Sequence, residues 1–252
     1  MSFFGFGKKH KENFVPNDEK NETISLQKEL DTHKINLNKT VVKLSKTLGT
    51  NMDEHRARVV VCLDYSGSMN GRYCNKRRPL NISEMQETIL KLLPIALKFD
   101  DDGHLESWIF SDKFYKFPDI TLDNYETYSD NVLLAAGYPR GGTKYAPILW
   151  AVMDDALECG QKDPVFVLFI TDGDNFDKQE TKAVIRESSK HKIFIQAIGI
   201  GKGPFDFLET LDNLSGRDCD NTGFEKFDSL ADTPDDVVYT KLLKQYMEWL
   251  RM

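Results

Sequence analysis

Arg58-Val59-Val60-Val61-Cys62-Leu63-Asp64-Tyr65-Ser66-Gly67-Ser68 carries an unbroken apolar run from Val59 to Leu63 and closes on small hydroxyl residues. A run without polar alternation is unlike the half-solvated strand of an antiparallel sheet; it reads as a strand covered on both faces. Its end is equally informative. An aspartate followed by two serines around a glycine makes a tight turn at the carboxyl end of that strand. Two further segments share the first feature, Val165–Ile170 and Ile193–Ile198.

Between and beyond these runs the apolar period lengthens to three or four residues. Residues 84–99 form a helical stretch, with Ser83 as its N-cap and Pro94 as a kink. Helices are also expected over residues 122–134, 144–159, 177–190, 206–214 and 235–251. His104–Phe110 and Lys113–Phe117 flank Ser111-Asp112, the spacing of a hairpin with a two-residue turn. Strands alternating with helices build an open, mainly parallel sheet with helices on both faces. The expected fold is therefore α/β and doubly wound, with six strands in the order 3-2-1-4-5-6 and the hairpin supplying one antiparallel edge strand.

The N-terminal region reads differently. Residues 8–23 are nearly all polar, as linkers are. From Ile24 to Leu48, the residues Leu26, Leu30, Leu37, Val41, Leu44 and Leu48 mark one helix face, with a break near His33. We expect residues 1–34 to be a mobile tail and linker, and residues 35–252 to form the domain, its first helix packed on the rest.

The 252 residues are 40% hydrophobic and 29% charged, enough to bury a sizeable core. Thirty-three basic against 40 acidic residues give −7, which argues against a protein that binds duplex nucleic acid. The cleanest apolar run, Val165 to Ile170, is far short of the ~18 residues of a membrane span. Cys62, Cys74, Cys159 and Cys219 form no C-x-x-C pair, so neither a zinc site nor a disulfide framework is indicated. A reduced, cytoplasmic protein is the expectation.

In a doubly wound sheet, ligands bind beyond the carboxyl ends of the strands. Asp64-Tyr65-Ser66-Gly67-Ser68-Met69 follows the first run and Thr171-Asp172-Gly173-Asp174-Asn175 follows Val165–Ile170. Gly141-Gly142-Thr143 opens the helix that begins near Lys144. In this order and placement the three segments resemble the von Willebrand factor type A family, whose D-x-S-G-S, G-G-T and T-D-G-x pieces form a metal-ion-dependent adhesion site. Within it, His55-Arg56-Ala57-Arg58-Val59, Phe99-Asp100-Asp101-Asp102-Gly103 and Gly142-Thr143-Lys144-Tyr145-Ala146-Pro147 are similar to the bacterial tellurium-resistance (TerF-like) branch. The resemblance covers roughly residues 36–252.

That resemblance implies a divalent cation held by Asp64, Ser66, Ser68, Thr143 and Asp172, directly or through water. The donor types suit it. Mg²⁺ takes about six hard oxygens and keeps several waters; Mn²⁺ or Ca²⁺ are alternatives. With hydroxyls prominent among the ligands the ion stays electrophilic, and an open position would take a carboxylate from a partner protein, as family members do. The implied function is a metal-dependent protein-interaction module in a bacterial stress or tellurium-resistance system, not an enzyme. Two other readings stand beside it: a Mg²⁺-dependent phosphotransferase or hydrolase using Asp64, and a scaffold with an unused metal site. Against the enzyme, Ser66 stands where haloacid-dehalogenase-type enzymes carry a second aspartate. A serine nucleophile would need a base, and the five histidines lie mainly away from the strand ends. Thr143-Lys144 inverts the order that a P-loop requires. Lys76-Arg77-Arg78 reads as a solvated loop, and Asp174 and Asn175 as either site rim or helix cap.

Overall fold

The computed structural model describes residues 17–160 and 162–252, with side chains from residue 26 onward. Six strands form the main sheet: β1 (Arg58–Asp64), β2 (Leu105–Phe110), β3 (Phe114–Ile120), β4 (Val165–Thr171), β5 (Ile193–Ile200) and β6 (Thr222–Phe227). Their spatial order is β3-β2-β1-β4-β5-β6, with every neighbouring pair parallel except β2 and β3. This is the order expected. Strand β1 is central: Leu63 lies opposite Ile109 on one side and Ile170 on the other. The chain winds outward from β1 in one direction and from β4 in the other, so a crevice opens beyond their carboxyl ends.

The helices are α1 (Asn17–Leu48), α2 (Asn70–Cys74), α3 (Glu84–Phe99), α4 (Ala146–Glu158), α5 (Lys178–Ser188), α6 (Asp206–Asp212) and α7 (Asp235–Trp249). Alternate residues of the buried strands enter two separate cores. Val59, Val61, Leu63, Phe166 and Leu168 pack with α1, α3 and α7 on one face. Val60, Cys62, Val167 and Phe169 pack with α4, α5 and α6 on the other. Two buried faces are why these strands carry no polar alternation.

Several elements depart from expectation. Helix α1 runs unbroken through His33, whose Nδ1 lies 2.8 Å from Asp235 Oδ2 at the start of α7. Leu26 and Leu30 are already buried, so the expected domain edge at residue 35 falls inside a packed helix. The expected mobility of residues 1–16 lies outside the described residues. The β2–β3 turn spans three residues, not two: Phe110 pairs with Phe114, and the Ser111 N–H donates to the Lys113 carbonyl at 2.8 Å. In place of one helix over 122–134 there are a 3₁₀ turn (Tyr125–Thr127) and a π turn (Ser129–Leu134). Asn124 accepts from the Thr121 N–H and donates to the Asp119 carbonyl, local bonds that compete with a helix start. The sixth strand had no place in the sequence reading; it is β6, where Gly223, Glu225 and Lys226 hide the strand pattern. Residues 70–81 hold α2 and lead through a short ribbon, Lys76–Arg77 with Ile82–Ser83, into α3. Ser83 caps α3 as expected, accepting from the Gln86 N–H at 3.1 Å.

Candidate metal centre

Asp64 ends β1 and is fully buried. Its Oδ1 accepts from the Ser66 N–H at 2.8 Å, which closes the turn after the strand. Its Oδ2 accepts from Thr171 Oγ1, the last residue of the adjacent β4, at 2.6 Å. From there a chain of oxygens leads to the surface. Ser66 Oγ lies 3.1 Å from Ser68 Oγ, and Ser68 Oγ donates to Asp172 Oδ1 at 2.8 Å. Ser66 is buried while Ser68 is exposed, so the cluster reaches from the strand ends to solvent. Asp64, Ser66, Ser68 and Asp172 are thus brought together through their side chains.

Thr143 arrives by a different route. The Gly67 N–H donates to the Gly141 carbonyl at 3.2 Å, which docks the serine loop on the Gly-Gly-Thr loop. The Phe176 N–H donates to the Thr143 carbonyl at 3.1 Å, which docks that loop on the segment after β4. The two glycines let neighbouring side chains close in: a Cβ on Gly141 would lie 2.1 Å from Asp112 Oδ2 and one on Gly142 2.9 Å from the Phe176 ring, so either addition would push an exposed side chain aside. Thr143 itself is buried.

The electrostatics suit a cation. Burial pushes the Asp64 carboxyl up to about 6, against the pull of its hydrogen bonds from Ser66 and Thr171, and the negative Asp172 adds to the rise. A carboxylate so enclosed, with a second one close by, is a charge that asks for compensation. Hard oxygens from two carboxylates and neutral hydroxyls match the ligand preferences of a small divalent ion. The fit is good.

A supporting layer holds these groups, and most of it was invisible to sequence reasoning. Tyr73 of α2 is buried and donates its hydroxyl to the Asp64 carbonyl at 2.8 Å. Tyr145 Oη lies 3.1 Å from Thr171 Oγ1, behind the bond from Thr171 to Asp64. The Arg140 guanidinium stacks 3.9 Å from the Tyr65 ring centre and 4.7 Å from that of Tyr73, tying the same two loops together. Asp177 accepts from the Tyr145 and Ala146 N–H groups at 3.0 and 2.8 Å, so it caps α4 from outside the helix. Of these, Tyr65, Thr171 and Tyr145 stand inside segments quoted for the family resemblance, and no local pattern marks any of them as support.

Asp174 and Asn175 resolve into separate tasks. Asp174 pairs with Lys178 at 2.6 Å on α5. Asn175 is buried and donates to Asp177 Oδ1 at 2.7 Å and Thr181 Oγ1 at 3.0 Å. In the basic loop, Lys76 pairs with Asp130 at 2.8 Å and Arg77 with Asp232 at 2.9 Å, while Arg78 is exposed. A second acidic group, Asp100, Asp101 and Asp102, gathers at the opposite end of the sheet. Asp100 Oδ2 there accepts from the Val59 N–H at 3.0 Å, so that carboxylate secures the start of β1.

Comparison with known proteins places this geometry. The family model vWA-TerF-like, described as "vWA found in TerF C terminus", matches residues 56–252. The uncharacterized protein YcbR of Bacillus subtilis strain 168 is 32% identical over 198 residues, which is 77% of this chain and 78% of that protein. Among solved structures, the manganese-loaded TRAP protein of Plasmodium vivax aligns with a TM-score of 0.51 at 15% identity, over 77% of this chain and 74% of that one. A von Willebrand factor type A protein from Catenulispora acidiphila aligns with a TM-score of 0.50 at 13% identity, over 77% of this chain and 42% of that one.

Proposed function

The chain belongs to the vWA-TerF-like family, and from that premise we propose that it is a metal-ion-dependent protein-interaction module. The observation that carries this reading is the continuous set of oxygens from buried Asp64 through Ser66 and Ser68 to Asp172, open to solvent at Ser68. In this proposal Asp64, Ser66, Ser68, Thr143 and Asp172 hold a divalent cation, with Mg²⁺ the first choice and Mn²⁺ or Ca²⁺ the alternatives. The manganese named with the TRAP structure supports a divalent ion in this fold without selecting among them. Bound there, the ion supplies an electrophilic position for a carboxylate. The protein's own part is to hold the hydroxyls convergent and to spend only two negative charges on a doubly charged ion.

The occupant of the open position is proposed to be an acidic residue of another protein. A cytoplasmic bacterial stress or tellurium-resistance setting is proposed on the family's name alone. We also propose that the module is not an enzyme. Asp64 has no exposure, which keeps it from in-line attack on a substrate and disfavours it as a nucleophile. Three of the described histidines are engaged elsewhere: His33 with Asp235, His55 with Tyr246, and His104 near Asp102 and Asp119. The test is capture of partners from the source organism's lysate on immobilised wild type and Asp64→Ala, each with Mg²⁺ and with EDTA. The proposal expects proteins retained by wild type with Mg²⁺ only. Identical retention under all four conditions would contradict it.

A further inference from the structure

Among the described residues Phe176 is the most exposed phenylalanine, at 81% against 37% for Phe114. A single exposed apolar residue needs no explanation by itself. Phe176 differs in where it is held. Its N–H donates to the carbonyl of Thr143, a proposed metal ligand, at 3.1 Å. Its ring lies over Gly142, whose missing side chain leaves the space: an added Cβ would come within 2.9 Å of Cε2. The preceding residue, Asn175, is buried and bonded to Asp177 and Thr181, so the backbone that carries the ring is anchored on both sides. The result is an aromatic side chain carried on an anchored backbone at the rim of the site, with its surface turned to solvent. Such a ring gives a large contact area at small entropic cost.

The charges around it narrow what it meets. The Asp112 carboxylate packs against Gly141 and Gly142 from the neighbouring turn. Asp174 is beside the ring in sequence and already paired with Lys178 at 2.6 Å. A partner that brought a second carboxylate to this rim would face Asp112 at close range. An apolar group would not.

We propose that Phe176 is the apolar half of a two-part recognition surface, in which the metal takes a partner's carboxylate and Phe176 takes an aromatic or branched aliphatic side chain adjoining it. This rests on the metal-dependent reading above and adds the class of partner: a protein segment in which an aspartate or glutamate adjoins an apolar residue, rather than an acidic tract. Like an interface hot spot, the ring would gain from losing water on its free face.

The test uses the full chain saturated with Mg²⁺ and three probe acids of graded length: acetate, phenylacetate and phenylbutyrate. Affinities come from chemical-shift titration of isotope-labelled protein. At least one phenyl acid should bind about tenfold more tightly than acetate, the ratio expected from covering ~55 Å² of apolar surface. Phe176→Ala should reduce that acid to the affinity of acetate, Phe176→Leu should keep part of the gain, and the Mg²⁺ titration of both variants should match wild type. Equal affinity for all three acids, binding of none of them, or an undiminished preference in Phe176→Ala would overturn the proposal. Wild type that fails to respond to Mg²⁺ at all would instead overturn the metal reading, and this proposal with it.

Discussion

At Asp64, burial and charge pull against each other, and the conflict is measurable. Desolvation raises its pKa to about 6, while the unfolded chain holds an ordinary aspartate near 3.8. Between those values the native apoprotein binds a proton that the unfolded chain has released. Stability of the apoprotein should therefore fall as pH rises from about 4 to about 6 and show no further loss from this group above that. The expected loss is of order 3 kcal/mol. Urea unfolding of wild type and Asp64→Asn across this window should show the extra slope in wild type only; parallel curves would contradict the account. The same linkage makes the metal compete with a proton, so Mg²⁺ affinity should decline below pH about 6. Thr171 offers a finer test. Thr171→Val keeps the shape but removes the donor to Asp64 Oδ2. Leaving that buried oxygen short of a partner should cost about 1–3 kcal/mol in the apoprotein. Unchanged stability would mean that the bond carries no weight.

Among the elements, α4 and α1 show how distant segments set the site and its support. Helix α4 begins beside Thr143, and its first N–H groups are capped by Asp177 from the far side of β4. Asp177→Ala should cost about 1 kcal/mol of stability and weaken Mg²⁺ binding by loosening the Thr143 loop; calorimetry of folding and of metal binding reads both. An intact metal affinity would separate the cap from the site. Helix α1 lies against α3 and α7, and Leu30 is fully buried there. Leu30→Ala should cost about 2–5 kcal/mol, and amide exchange should be slow from Leu26 onward. Fast exchange through Leu48 would mean that the helix does not pack as described. Legibility followed the same physics. The strands β1, β4 and β5 were readable because burial on two faces leaves a run that is almost wholly apolar, with Gln196 the one polar side chain inside β5. β6 was not, since Gly223, Glu225 and Lys226 break its pattern. The early part of α1 was missed because its residues before Leu26 are mostly polar, so no apolar stripe marks a helix there.

For the whole molecule, the sheet order decides the site. With β1 between β2 and β4, the turns after Asp64 and Thr171 become neighbours; hydrogen bonds link Asp64, Ser66, Ser68 and Asp172 there, and the Gly141–Thr143 loop docks on the same turns through backbone bonds. What the sequence could not show is the layer behind them, Tyr73, Arg140, Tyr145 and Asp177, because each meets its partner through tertiary contacts. An ion that binds only the folded state adds RT ln(1 + [L]/Kd), or ~2.7 kcal/mol at a hundredfold excess over Kd. Without the ion, removing one of the crowded carboxylates relieves desolvation and repulsion. The most direct measurement is therefore a titration of wild type and Asp64→Ala with Mg²⁺ and Mn²⁺, followed by calorimetry and thermal melts. Wild type should bind and rise in melting temperature, while Asp64→Ala should start at least as stable and gain nothing from the metal. An equal metal response in both proteins would contradict the metal centre, and the interaction mechanism would fall with it.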